Sequence, residues 1–346
     1  MNISEPDSRK LRVGILGCGQ VSPYHLLGWS RCPGIELVAT CDPVLERAQA
    51  RAEEFGIPKA YDSPNAMFAA ERLDLVDIMS PRDIHAANLR LAVQYGVHAL
   101  CEKPLCPTWV EAEQLVREIG SSIRIMVNEN WRYRAYYRKI GEWIDSGRLG
   151  RISHFRIALI RASLIRNEQG VTDILVRMPF TAREQRLLIA EWLIHELDVV
   201  RSLLGELTML CARIGRVSDD VIGEDTAAML LETTRGLPVV VEGIMSAAGY
   251  DVRSPDRLEI MGTRCSVLFE NAVLKLFGAE QEEIVFDETA VRQGGFDNSI
   301  RHFVGCVRSG EPFWTSAADQ LNTLKLVEQA YELAGPLRRL EIRGDA

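Results

Sequence analysis

Read only for apolar and polar positions, the first third of the chain switches regularly between two periods. Val13, Ile15 and Leu16 predict a short buried strand, and Ile35 to Thr40, Leu73 to Ser80, Val97 to Cys101 and Ile123 to Val127 predict four more. The segments from Ser22, from Pro43, from Ser63-Pro64, from Pro81 to Tyr95 and from Thr108 to Ile119 read as helices, with a short element near Tyr61. Strand and helix in strict succession imply an α/β fold with a parallel, doubly wound sheet, because each parallel pair needs a crossover. The pattern then changes. Asn128 to Lys139 mixes aromatics with cations and opens a helix that ends near Ser146-Gly147. From Arg151 onward strands dominate, at about 151–163, 207–217, 225–234, 237–247, 256–262, 265–271, 273–278 and 282–287. Strands without helices between them predict a second, α+β domain built on a large, mainly antiparallel open sheet. The expected division is therefore 1–127 and 128–346, with a C-terminal helix that can pack back on the first domain.

One long helical pattern interrupts those strands, from about Arg186 to Leu204. At a regular helical pitch Glu191, His195, Asp198 and Ser202 share a narrow polar stripe on an otherwise apolar helix, and Glu196 points elsewhere. Such a stripe either meets water or lines a pocket, and spacing leaves both open. His195-Glu196 does not begin a zinc motif, because no second histidine follows four residues on, and no metal site is expected. In the sheet, Val239, Val241, Ile260, Val267 and Phe269 predict an apolar face without a sequence-adjacent cover, so a homodimer or homotetramer through the C-terminal sheet is expected.

The first strand runs into Gly17-Cys18-Gly19-Gln20-Val21-Ser22-Pro23. Two glycines after a strand permit a tight turn and close approach of backbone to a pyrophosphate, with Ser22 read as the helix cap and Pro23 as its first residue. Free N–H groups at that helix start suit phosphate oxygens. The second strand ends at Asp42, about 20 residues beyond the glycines, where a dinucleotide-binding Rossmann fold places an acid on the adenosine ribose. An acid there also repels a 2′-phosphate, so NAD is favoured over NADP. Asp42 also suits a plain cap for the helix after Pro43. Ligands in such sheets lie beyond the carboxyl ends of strands, which directs Ser80, Pro81, Glu102 and Lys103 toward the cofactor.

Composition narrows the picture further. The 346 residues, 47% hydrophobic and 25% charged, are those of a globular protein long enough for two cores. A net charge of −8 argues against a nucleic-acid partner, which requires a basic face. No apolar run is long enough for a membrane span and the N-terminus lacks a signal-peptide layout, so the cytoplasm is the expected location. The eight cysteines are scattered, without a Cys-x-x-Cys pair, and read as reduced packed thiols.

With the glycine turn, Ser80-Pro81-x-x-x-His85, Glu102-Lys103-Pro104 and His195-x-x-Asp198 in this order, the chain resembles the Gfo/Idh/MocA family of glucose-fructose oxidoreductase and inositol dehydrogenase relatives. The resemblance implies cofactor contacts from Gly17, Gly19, Gln20, Val21, Asp42, Ser80, Pro81, His85, Glu102 and Lys103. It also implies catalysis by Lys103 and His195, with Glu191 where the family usually has aspartate. These two residues are expected to meet across a cleft at the nicotinamide. Oxidising an alcohol requires a base for the hydroxyl proton and a cation for the developing alkoxide, and either residue suits either task. Lys103, Trp131, Arg132, Arg186, Glu191 and His195 are the expected substrate contacts, for a sugar, cyclitol or related polyol. Two other uses of the same fold stay open at this point: an NAD-using glycosidase and a non-catalytic NAD(H)-binding redox sensor.

Overall fold

The computed structural model describes residues 9–340. The chain falls into two compact units: the residues up to Tyr133 with Arg292–Leu321, and Arg134–Val291 with the chain from Asn322 onward.

The first unit begins β1 (Leu11–Leu16), α1 (Ser22–Ser30), β2 (Ile35–Cys41), α2 (Leu45–Phe55), β3 (Lys59–Tyr61) and α3 (Pro64–Ala70). It continues with β4 (Leu75–Ile78), α4 (His85–Gln94), β5 (His98–Cys101), α5 (Trp109–Ile119) and β6 (Ile125–Val127). All six strands are parallel and lie in the order β3-β2-β1-β4-β5-β6. The order reverses between β1 and β4, which opens a crevice at the carboxyl ends of those strands, where doubly wound sheets bind ligands. β1 and β4 are apolar and buried because helices cover both sheet faces. Val13, Ile15, Leu26, Trp29, Leu75 and Leu100 share one core with Ile300 and Phe303 from the later segment. Full burial of each such aliphatic side chain contributes about 1.5–3 kcal/mol.

The second unit contains α6 (Ala135–Asp145), β7 (Ile152–Ile160), α7 (Asp173–Arg177), α8 (Ile194–Leu204), β8 (Leu207–Arg216), β9 (Thr226–Thr233) and β10 (Pro238–Ile244). The strands β11 (Arg257–Gly262), β12 (Cys265–Glu270), β13 (Val273–Gly278) and β14 (Glu282–Val285) follow. The helix α9 (Glu288–Ser309) belongs from Arg292 onward to the first unit, and α10 (Ala317–Ala334) returns the chain to the second unit at Asn322, ahead of β15 (Arg338–Arg339). The sheet has nine strands in the order β14-β13-β12-β11-β7-β10-β9-β8-β15. It is mixed, because β10 pairs with β7 and β15 with β8 in parallel. The long connection after β7 removes the hairpin constraint, so β7 enters the middle of the sheet beside a strand running its own way.

The apolar face expected to await a partner is already covered within this unit. Val239, Val241, Ile260, Val267 and Phe269 are all buried. Tyr136 of α6 stacks on Phe269 at 4.4 Å, and a Cβ on Gly243 of β10 would meet Leu193 at 2.8 Å and Leu188 at 2.9 Å. Alternation therefore turns the other set outward: exposed Leu230, Met261, Phe277 and Val285 lie among ion pairs such as Arg156–Glu242 and Arg257–Glu270.

Candidate active site

β1 ends in a turn whose glycine is required by geometry. Gly17 has φ +104°, and a Cβ there would lie 2.6 Å from the Met79 carbonyl carbon and 2.7 Å from its oxygen. Around Gly19 nothing lies within 4 Å of an added Cβ, and Gly19 and Gln20 are exposed, with Val21 half-buried beside them. This open concavity at the start of α1 suits a dinucleotide's phosphates. Ser22 is not the helix cap: it lies inside α1, its hydroxyl donates to the Gly19 carbonyl at 2.7 Å, and Arg51 Nε donates to that hydroxyl at 3.1 Å. The turn closes so tightly that the serine bonds backward, and the first amides of α1 are also bonded locally, Ser22 N to the Gly19 carbonyl at 3.2 Å and Tyr24 N to the Val21 carbonyl at 3.1 Å, with Pro23 lacking an N–H.

Asp42 is buried and braces this turn. Its Oδ2 accepts from Cys18 N and its Oδ1 from Val44 N, both at 2.9 Å. Asp42 is not the cap of α2, whose N-cap is Val44 without a side-chain cap bond; it closes an Asx turn to Val44 N ahead of the helix, and each oxygen keeps acceptor capacity for ribose hydroxyls. Burial pushes the Cys18 thiol up to about 12 and Cys101 well above its ordinary value, so both stay protonated packing groups.

The ends of β4 and β5 are tied together by His85. Its Nδ1 lies 2.9 Å from the Pro104 carbonyl and its Nε2 2.8 Å from the Ser80 carbonyl, and burial lowers its pKa. Asn88 donates to the Ser80 hydroxyl at 2.9 Å. His85 therefore holds the two loops that carry Ser80-Pro81 and Glu102-Lys103-Pro104. Lys103 is half-buried at the end of β5 and precedes a cis proline.

Behind Lys103 lies a buried polar network that no motif announced. His25 Nδ1 is 2.8 Å from Asp77 Oδ2, and its Nε2 is 2.9 Å from Glu102 Oε1. Trp29 Nε1 donates to the same Asp77 oxygen at 2.6 Å, and Asn128 Nδ2 donates to Glu102 Oε1 at 2.7 Å. The Ser299 hydroxyl donates to Asn128 Oδ1 at 2.7 Å, and Lys103 N donates to Glu102 Oε2 at 3.2 Å. Burial alone would lower the His25 pKa, but Asp77 and Glu102 together outweigh it and raise it to about 10. Burial raises Glu102, and the bonds from His25 and Asn128 reverse this, leaving it lowered.

These shifts have opposite consequences for stability. The raised His25 contributes fully below its ordinary 6.5 and loses its contribution as pH rises through about 10. The lowered Glu102 contributes fully above its ordinary 4.5 and loses its contribution as pH falls through its lower folded value. Denaturant melts of the parent should show stability declining from about pH 7 to 10. In a His25→Gln variant that alkaline slope should flatten, and an unchanged slope would place the proton elsewhere.

The other substrate candidates are held by partners within their own units. Trp131 is buried, and Arg132 donates to the Trp314 carbonyl at 2.8 Å and pairs with Asp319 at 2.8 Å. Arg186 pairs with Glu328 at 3.0 Å and lies over the Tyr331 ring at 4.2 Å.

The segment expected as one regular helix from Arg186 contains a wide π turn at Ile189–Leu193 before α8 begins. Glu191 sits half-buried on that wide turn and His195 is buried in the first turn of α8. The wider turn changes the angular phase, so the four-residue polar stripe does not persist. Asp198 is fully buried, accepting from Thr323 Oγ1 at 2.7 Å with Arg201 at 3.7 Å, and so braces α8. Ser202 is exposed and bonds back to the Val199 carbonyl. Glu196 is buried, and its pKa is pushed up by burial and by Asp256.

The amino end of this segment is capped from a distance. Glu224 accepts from Leu187 N at 3.1 Å and Ile189 N at 3.0 Å, and Tyr331 donates to the same carboxylate. Ala190 N donates to the Tyr331 hydroxyl at 3.3 Å. Glu224 and Tyr331 were invisible to motif reading, as were His25, Asp77, Asn128 and Ser299. Among the described residues no cluster of metal-ligating side chains occurs and no helix is long and apolar enough to cross a membrane.

Residues 11–128 match the model of an oxidoreductase family with an NAD-binding Rossmann fold, and residues 137–268 match the Gfo/Idh/MocA C-terminal domain. The chain belongs to the Gfo/Idh/MocA family. A D-apiose dehydrogenase of Paraburkholderia graminis is 30% identical over 97% of this chain and 90% of its own length. An inositol 2-dehydrogenase of Rhizobium meliloti is 24% identical over 96% of this chain and 99% of its own. Among solved structures, an oxidoreductase from Agrobacterium radiobacter in complex with NAD+, L-tartaric acid and magnesium is 27% identical. It superposes with a TM-score of 0.87, covering 94% of this chain and 96% of that one. As a family member the chain is an NAD-dependent oxidoreductase, and its residues 11–128 form the NAD-binding Rossmann fold.

Proposed function

We propose that this oxidoreductase converts a secondary hydroxyl of a sugar or cyclitol to a ketone or lactone, with Lys103 and His195 as the catalytic pair. The observation that carries this reading is the placement of Lys103 at the end of β5, in the same unit as the glycine turn and anchored through Glu102. The relatives named for apiose and inositol support the substrate class.

Gly17, Gly19, Gln20, Val21 and the amino end of α1 would hold the pyrophosphate, Asp42 the adenosine ribose, and the Ser80 and Glu102 loops the nicotinamide end. When bound, NAD supplies the hydride acceptor. His195 takes the hydroxyl proton, for which a neutral imidazole nitrogen is suited, and the Lys103 ammonium steadies the developing alkoxide. Glu191 orients His195 or holds a neighbouring hydroxyl. Trp131, Arg132 and Arg186 take part through the walls they brace.

A panel of pentoses, hexoses, branched sugars and inositols, each assayed for NADH formation, tests the reading. Reduction with at least one member is expected. Binding of NAD without reduction by any of them would favour the sensor, and bond cleavage without net reduction would favour the glycosidase. NAD(H) should bind more tightly than NADP(H), because the Asp42 carboxylate accepts ribose hydroxyls and repels a 2′-phosphate. Fluorescence titration of Asp42→Ser should show this preference relaxed by about tenfold, the size of one lost charge-assisted contact. A homo-oligomer assembled on the outward sheet face around Leu230, Met261 and Phe277 belongs to the same reading.

A further inference from the structure

We propose that His25 is a positioning residue for Lys103: wedged between Asp77 and Glu102, it holds the Glu102 carboxylate in place, and through it the backbone from which the Lys103 amine projects. The inference rests on the reading of Lys103 as catalytic and adds to it a residue from the opposite end of the sequence motif.

With both carboxylates ionised, this geometry has His25 donate from both ring nitrogens. Nδ1 faces Asp77 Oδ2 and Nε2 faces Glu102 Oε1, and an ionised carboxylate oxygen only accepts. Asn128 Nδ2 also lies 3.1 Å from His25 Nε2, a separation that fits two donors converging on the same Glu102 oxygen. The Ser299 hydroxyl on Asn128 Oδ1 decides which way that amide faces, so the convergence is built from three elements. Among the described residues no other charged side chain touches the ring. Asp77 comes from β4, Glu102 from the end of β5, Asn128 from the residue after β6, and α9 contributes only the Phe296 ring at 5.0 Å.

The interior of the group is dry, and the Glu102 side chain is 13% exposed at its edge. His25, Asp77 and Asn128 are fully buried, and Trp29 satisfies the same Asp77 oxygen. In such surroundings an imidazolium between two carboxylates is held more firmly than at a surface, because water reaches neither His25 nor Asp77 and only the edge of Glu102. Glu102 then has one oxygen fixed by two donors and its other oxygen free to receive Lys103 N at 3.2 Å. A carboxylate that cannot rotate sets both the direction of the Lys103 backbone and a constant negative charge beside its amine.

The first test reads His25 directly in the full-length protein. A long-range proton–nitrogen correlation spectrum at about pH 8, with His25 assigned from the His25→Gln variant, should show both ring nitrogens protonated, where an unperturbed histidine is neutral. A neutral tautomer would overturn the proposal. This outcome is independent of substrate, so failure of the sugar reading leaves it standing. The second test is kinetic. In His25→Gln, NAD affinity should stay within about threefold, kcat should fall at least about tenfold, and the alkaline pH limb of kcat should move to higher pH, because a buried cation has been removed beside the site. In Glu102→Gln the limb should move to lower pH, because an anion has been removed. A uniform loss of kcat with both limbs unmoved would mark His25 as a scaffold residue only and refute the positioning role. Should His25→Gln fail to fold, the kinetics of Glu102→Gln and a parent spectrum in which His25 is assigned through its backbone resonances decide the matter.

Discussion

Lys103→Ala and His195→Ala should each lower turnover by about 10²- to 10⁴-fold while leaving NAD affinity nearly intact, the range typical for removal of a positioned acid–base group. In the function proposed above the two residues would act on proton and charge at the substrate hydroxyl, and the glycine turn and Asp42 would hold the dinucleotide. A loss confined to KM would mean a binding contact equal in ground and transition states, whereas equal losses in kcat and kcat/KM mean a contact made only in the transition state. The variants should also differ from each other. Without His195 the proton must go to water, so activity should recover partly as pH rises. Without Lys103 the alkoxide loses its cation, and rising pH should restore little. Glu191→Gln should cost less than either if Glu191 only orients His195, and about as much if it holds substrate. Single-turnover NADH formation on the reactive sugar checks all three. A rate within a few-fold of the parent in either alanine variant would remove that residue from the mechanism.

Gly17→Ala should damage both the fold and the cofactor site, and Gly19→Ala only the site. At Gly17 the backbone occupies φ +104°, and the added methyl would meet the Met79 carbonyl group and Ser80 N, all backbone atoms within 2.8 Å. A strained backbone conformation of this kind costs about 1–3 kcal/mol. The collision cannot be relieved by a side-chain rotation, so β4 and its loop must shift as well. Because that loop carries Ser80, held in turn by His85, the displacement reaches the cofactor side of the sheet. At Gly19 nothing lies within 4 Å of the new methyl and the backbone is ordinary, so thermal stability should match the parent. NAD affinity should still fall about tenfold or more, because the methyl takes the space into which a pyrophosphate must come. Thermal melts and NAD titrations on both variants separate the effects. Parent-like affinity in Gly19→Ala would show that the phosphates lie elsewhere.

Much of this architecture was legible along the chain because its causes are local. Strands β1, β2, β4, β5 and β6 are short apolar runs bounded by turn residues, and α5 is announced by Thr108, whose side chain accepts from Glu111 N. The glycine turn, Asp42 at the end of β2 and Glu102-Lys103-Pro104 at the end of β5 follow from the same punctuation, since a turn's backbone demands act on the residues that make it. The large second sheet was legible as a run of strands, but its β7–β10 pairing was not. Which strand lies beside which depends on how a long connection folds, and periodicity carries no record of that.

What only the tertiary structure decided shares one physical cause: the fate of a polar group buried in a protein depends on a partner far away in sequence. Ser22 looks like a cap and bonds backward, because Arg51 of α2 arrives beside it. The helix expected from Arg186 opens into a π turn at Ile189–Leu193 where the Glu224 carboxylate and the Tyr331 hydroxyl supply acceptors for its free amides. Val239 and Phe269 look uncovered until α6 and the 189–204 segment are seen to lie on their face. His25, eight residues past Gly17, reads as an ordinary helical histidine. It becomes a buried cation only because β4 and β5 bring Asp77 and Glu102 to its two nitrogens. Periodicity and turn chemistry determine which elements form and where the cofactor's phosphates can lie. Desolvated charge, settled by long-range pairing, decides how Lys103 is held.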